Sequence, residues 1–171
     1  MNENLAQAGG SSTSIGDRAH LAAAMTRSTS PPSFAAATLL GMATGMRSFL
    51  PLAILSVTRS DRPWLRALLV PLAASELVAD KLPRMGSRLA PGPLTARVVA
   101  AGIGACWLVP SRNRAPLVLA GAAGALAGAF LGHLARTELP AATGTPDLPW
   151  AALEDATAAT LVGTALHLAP G

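Results

Sequence analysis

Five long apolar stretches divide the chain, each bounded or interrupted by charge, glycine or proline. The first runs from about Ser33 to Val57, the second from Trp64 to Ala79 and the third from Leu94 to Val109. The fourth covers Leu117 to Ala135 and the fifth Trp150 to Leu168. About 20 apolar residues in a helix cross a hydrocarbon layer, so the pattern predicts an all-α, polytopic membrane helix bundle of about five hydrophobic segments. The first segment is expected to kink or break. Arg47 sits in its middle, and Pro51 removes a backbone donor four residues later. Residues 1–32 mix Ser, Thr, Gly, Asn and charge and read as a disordered polar tail. Residues 33–171 then form the membrane domain.

Composition supports this. The 171 residues are 51% hydrophobic and 13% charged, with a mean hydropathy of +0.43, whereas an ordinary soluble domain is about 25% charged. Sixteen glycines with three Phe, three Trp and no Tyr suit closely packed helices in lipid better than an aromatic-rich soluble core. The formal charge of +4 comes from Lys and Arg scattered over loops and helix ends. That pattern fits loops beside anionic headgroups rather than a nucleic-acid surface. Cys106 is the only cysteine, which excludes an intrachain disulfide and a cysteine metal cluster. With five spans and the tail inside, seven basic residues against five lean toward a cytoplasmic tail.

Glycine marks two faces. Gly124, Gly128 and Gly132 recur every four residues in the fourth segment, and Ala37, Gly41 and Gly45 do so in the first. Such stripes let helix backbones approach closely. The motif GMATG at 41–45 resembles GALAG at 124–128, and DRPW at 61–64 resembles DLPW at 147–150. The offsets are 83 and 86 residues. Read as a repeat, with a lone third segment between the copies, they make an inverted repeat whose broken helices meet near the midplane.

The ionisable residues inside or bordering apolar runs carry the candidate chemistry. Glu76 and Asp80 are one helical turn apart in AASELVADKLP, which ends on Lys81 and Pro83. Glu154 and Asp155 occupy the start of the fifth segment, where a helix-capping role is an alternative. Arg47 is the one base deep in an apolar run, and the cost of burying it demands a partner. Together Arg47, Glu76, Asp80, Lys81, Glu154 and Asp155 read as a substrate or ion pathway. The rival reading is an ion pair that fixes helix register. Enzyme motifs are lacking: there is no G-x-S-x-G elbow, P-loop or dinucleotide fingerprint, and no cofactor is implied. The reading is a small transporter or channel-like permease. Its alternative is a non-catalytic scaffold or accessory subunit whose glycine faces bind a second copy or another membrane protein.

The ordered motifs Glu76-Leu-Val-Ala-Asp80-Lys81-Leu-Pro83, Arg97 with Gly102, then Gly128, His133 and Arg136, then Thr143-Gly144 and Leu153-Glu154-Asp155 resemble those of a bacterial integral-membrane family, domain-of-unknown-function family 4126. The resemblance covers roughly 40–168. It implies a multi-pass protein of the bacterial cytoplasmic membrane and favours Glu76, Asp80, Lys81 and Glu154 as the residues that matter. It carries no activity. Val98, and the loop Ala142-Thr143-Gly144-Thr145-Pro146, depart from the family pattern.

Overall fold

The structure, a computed structural model, describes residues 16, 31–79 and 90–170. Among them are six α-helices and no strand. These are α1 (Pro31–Met46), α2 (Leu50–Thr58), α3 (Pro63–Ala79), α4 (Pro91–Leu108), α5 (Ala115–Thr143) and α6 (Asp147–Leu168). The fold is all-α.

The directions of the helices follow from their contacts. Gly41 lies against Gly121 and Gly45 against Ala125, so α1 and α5 run the same way. A three-residue turn joins α5 to α6, and Gly132 and Arg136 both meet Glu154. Helix α6 therefore runs antiparallel to α5 and to α1. Arg47, just past α1, pairs with Asp155, while Arg59, just past α2, donates to the Leu166 carbonyl eleven residues further along α6. The chain has reversed between them: α2 folds back beside α1. Leu40 and Leu52 confirm the reversal, because both approach the same point on Gly104, although a straight helix would hold them about 18 Å apart. Arg66 bonds the Ser56 carbonyl and Glu76 the amides of Ser48 and Phe49, so α3 runs antiparallel to α2. Arg97 meets Ser48 and Gly104 meets Leu40, which sets α4 against α1. All six helices thus alternate in direction, and both ends of the described bundle lie at the same end.

The break has a local cause. Arg47, Ser48 and Phe49 leave the helix, and Pro51 falls in the first turn of α2, where its missing N–H costs no intrahelical bond. The proline starts the second helix rather than bending the first. Pro31 and Pro32 likewise lie in the first turn of α1, so that helix begins two residues before the expected boundary at Ser33. Apart from residue 16, the rest of the tail lies outside the described residues.

At the centre, α1 is buried along most of its length, with Ala36, Ala37, Leu40 and Ala43 fully enclosed. It packs against α5 on one side and α4 and α6 on others. A methyl group on Gly41 would overlap the Gly121 carbonyl, and one on Gly45 the Ala125 carbonyl. On Gly124 and Gly128 it would strike the carbonyls of Thr38 and Met42. The two helices therefore meet backbone on backbone. Adding 83 to each α1 partner and subtracting 83 from each α5 partner turns the first pair of contacts into the second, the same offset that separates GMATG from GALAG. Because α1 and α5 run parallel, these two copies are not inverted relative to one another. For the glycine motifs the inverted relation expected from a lone intervening segment fails because the first segment holds two helices, α1 and α2, and so adds one reversal; the helices opened by DRPW and DLPW, α3 and α6, do run opposed.

Two further boundaries differ from expectation. Helix α5 continues through Glu138 and Pro140 to Thr143, leaving only 144–146 as the turn, with Gly144 at φ 66° closing the helix. Helix α6 starts at Asp147, so Glu154 and Asp155 sit about two turns in. Asp147, not Glu154, is the acidic residue of the first turn. By length and apolar character, one helix among the described residues, α5, suffices to cross a membrane. Helices α1, α2 and α3 are shorter, and α4 and α6 less apolar.

Candidate functional site

The hairpin between α1 and α2 ends in a cluster of charge. Arg47 is 2% exposed and donates from Nε to Asp155 Oδ1 at 2.5 Å. Its Nη2 lies 3.7 Å from Glu154 Oε2. Arg136, from α5, reaches the same Glu154 oxygen at 3.6 Å and also pairs with Asp147. Two guanidinium groups thus bracket one buried carboxylate. Asp155 is the open member, with about a quarter of its side chain exposed.

Glu76 serves the other side of the break. Its Oε1 accepts the Ser48 amide at 2.7 Å and its Oε2 the Phe49 amide at 2.8 Å. Those donors belong to the start of α2, where amides have no carbonyl partner in their own helix. A carboxylate from α3 therefore caps a helix distant in sequence, and its charge suits the positive end of the helix dipole. Arg97 is buried on α4 and donates from Nε to Ser48 Oγ at 3.3 Å. Three elements, α3, α4 and α6, so converge on three residues of non-helical backbone, and α5 joins through the pairing of Arg136 with Glu154. Among the described residues every buried side-chain polar atom has a partner.

Of the residues expected from the sequence, Arg47, Glu76, Glu154 and Asp155 are brought together. Asp80 and Lys81 lie outside the described residues. Gly41, Gly45, Gly124 and Gly128 form the α1–α5 seam, but Gly132 does something else: a methyl group there would come 2.8 Å from Glu154 Oε1. Its bareness makes room for the carboxylate. Arg97 and Arg136 were expected near the helix ends, and the structure puts both in the cluster. The spacing held a signal for Arg136, since it lies four residues, one turn, beyond Gly132 on the same face of α5. For Arg97 there was none, because only the fold-back of α2 brings Ser48 to α4.

No group of three or more His, Cys, Asp or Glu among the described residues is arranged to hold a metal ion. Compared with known protein families, curated proteins and solved structures, the chain matches none.

Proposed function

We propose that the chain is a multi-pass protein of the bacterial cytoplasmic membrane, in which α1 and α2 form a re-entrant hairpin and α3 to α6 cross the bilayer. What supports this is an inside-out distribution of polarity. Arg47, Arg97, Glu154, Ser33, Thr44 and Ser56 are buried, whereas Leu119, Val78, Ile103, Val99 and Phe130 are each more than half exposed. Hydroxyl groups on the outer surface also bond inward along their own helix. Thr157, Thr160 and Thr164 each donate to the carbonyl one turn earlier, which satisfies them without water.

Within that frame the proposed activity is that of a small permease or channel for a proton or a small anion. The observation that carries it is the hairpin tip: non-helical backbone at bundle depth, surrounded by Arg47, Arg97, Arg136, Glu76, Glu154 and Asp155. Broken helices with buried ionisable groups are where membrane permeases place their pathways. Glu154 and Asp155 are the groups to exchange a proton, and Asp155, being partly exposed, faces the entrance. Purified protein in liposomes loaded with a pH-sensitive dye tests this. A proton or chloride flux that falls at least tenfold in Glu154→Gln, with unchanged insertion and helicity, supports the proposal. Absence of flux from the intact protein, for protons and for a panel of inorganic anions, rejects it.

A second reading has its own observation. Arg47 is sealed against two carboxylates and the polar atoms around it are satisfied, as in an ion-pair network that only fixes helix register. The protein is then a scaffold or accessory subunit, and a stable complex with another membrane protein, without flux, is its mark.

A further inference from the structure

On the outer surface, α4 is flanked by two hollows that share Ile103. One, of about 550 Å³, is lined by Arg59, Ser60, Asp61, Arg62, Leu65, Ile103 and Trp107. The other, of about 680 Å³, is an apolar slot between α4 and α5 formed by Val98, Val99, Gly102, Val118 and Ala122, with Arg114 at its rim. The connections α2–α3 and α4–α5 lie at one end of the bundle, so Arg59, Arg62 and Arg114 stand at one level. Along the slot, the eight helical steps from Arg114 to Ala122 span about 12 Å.

We infer that this surface is a binding site for an anionic phospholipid. Its phosphate sits in the hollow of Arg59, Ser60 and Arg62, and an acyl chain crosses Ile103 into the slot between α4 and α5. The inference rests on the membrane reading above. Charge complementarity selects the headgroup. Two guanidinium groups oppose the single carboxylate of Asp61, and Arg62 has no ion pair or side-chain hydrogen bond among the described residues. Arg59 gives one N–H to Leu166 and retains others. Arg62 is thus left with its full set of donors for a phosphate. Trp107 and Ile103 supply the amphipathic floor found where headgroups meet acyl chains. The slot is apolar along its length and polar only at the Arg114 end, which matches a lipid entering headgroup-up.

Trp107 reports on the site. In a Trp64→Phe/Trp150→Phe background it is the only tryptophan, and its fluorescence is read in nanodiscs containing phosphatidylglycerol or phosphatidylcholine with brominated acyl chains. The expected result is stronger quenching by brominated phosphatidylglycerol at equal mole fraction, and an apparent preference reduced about fivefold in Arg62→Gln. Equal quenching by the two lipids, or a preference unchanged in Arg59→Gln/Arg62→Gln, overturns the site. Loss of the preference on adding millimolar inorganic phosphate assigns the hollow to free phosphate and overturns the lipid. No quenching by either lipid, in protein that stays with the nanodiscs, means that Trp107 never meets acyl chains and overturns the site, whereas failure of the protein to enter nanodiscs overturns the membrane reading.

Discussion

The two faces of α1 solve opposite problems. Toward α5, Gly41 and Gly45 remove every side chain so that backbone meets backbone. Just beyond its end, Arg47 brings in the largest fully buried side chain of the described residues and must be satisfied atom by atom. The seam gains its energy from dispersion at close range and tolerates nothing added. The cluster gains little net energy, because desolvation offsets most of the Coulomb attraction, yet it tolerates nothing removed. One region is broken by addition and the other by subtraction, and each fixes the position of the hairpin against a different helix.

Substitutions can separate the two. The largest effect is expected for Gly128→Leu, whose side chain would have to displace the Met42 backbone. Helix packing should be lost, seen as failure to elute as a monodisperse species in mild detergent. Arg47→Met should follow, at about 3–5 kcal/mol, because it strands Asp155 and leaves the buried Glu154 with Arg136 alone. Adding Glu154→Gln and Asp155→Asn should recover much of that loss in chemical unfolding. If the triple variant is no more stable than Arg47→Met, the cluster is not held by charge pairing. Glu76→Gln keeps one acceptor oxygen and replaces the other with a donor facing an amide, for an expected cost of about 1–3 kcal/mol. Gly132→Ala sharpens the contrast within one stripe. Its methyl displaces only the end of a flexible side chain, so stability should fall by about 1 kcal/mol or less while any flux that depends on Glu154 falls further. Equal damage from Gly132→Ala and Gly128→Ala would show that both belong to the seam. Leu119→Ala, on the outer surface, should change stability by less than about 0.5 kcal/mol.

The seam was legible in the sequence because it depends on a period. Glycines four residues apart on two segments mark two faces that need each other, whatever the topology. The cluster was legible only in part. Arg47, Glu76, Glu154 and Asp155 stood out because charge inside an apolar run is costly, but their partners depend on where the chain reverses. Arg47 and Pro51 signalled a break, and nothing local distinguishes a kink that continues from a turn that goes back. That one reversal decides whether the two glycine motifs run parallel or opposed, and whether Arg97 lies at an entrance or beside Ser48. The apolar pattern ended the fourth segment at Ala135, yet the helix runs on through Pro140. Near the end of α5 a proline sacrifices one bond, and the helix continues to Gly144, where the left-handed backbone ends it.

The pairing of Arg47 with Asp155 spans 108 residues, and this separation has a consequence for biosynthesis. At about 5–20 residues per second, the ribosome needs about 5–20 s to reach the second partner after making the first. Throughout that interval Asp155 does not exist, and the α5 glycine face is complete only once Gly132 has been added. On the membrane reading proposed above, the nascent hairpin must therefore be sheltered at the insertion machinery, or wait at the membrane surface, until the final helix arrives to lock it in place.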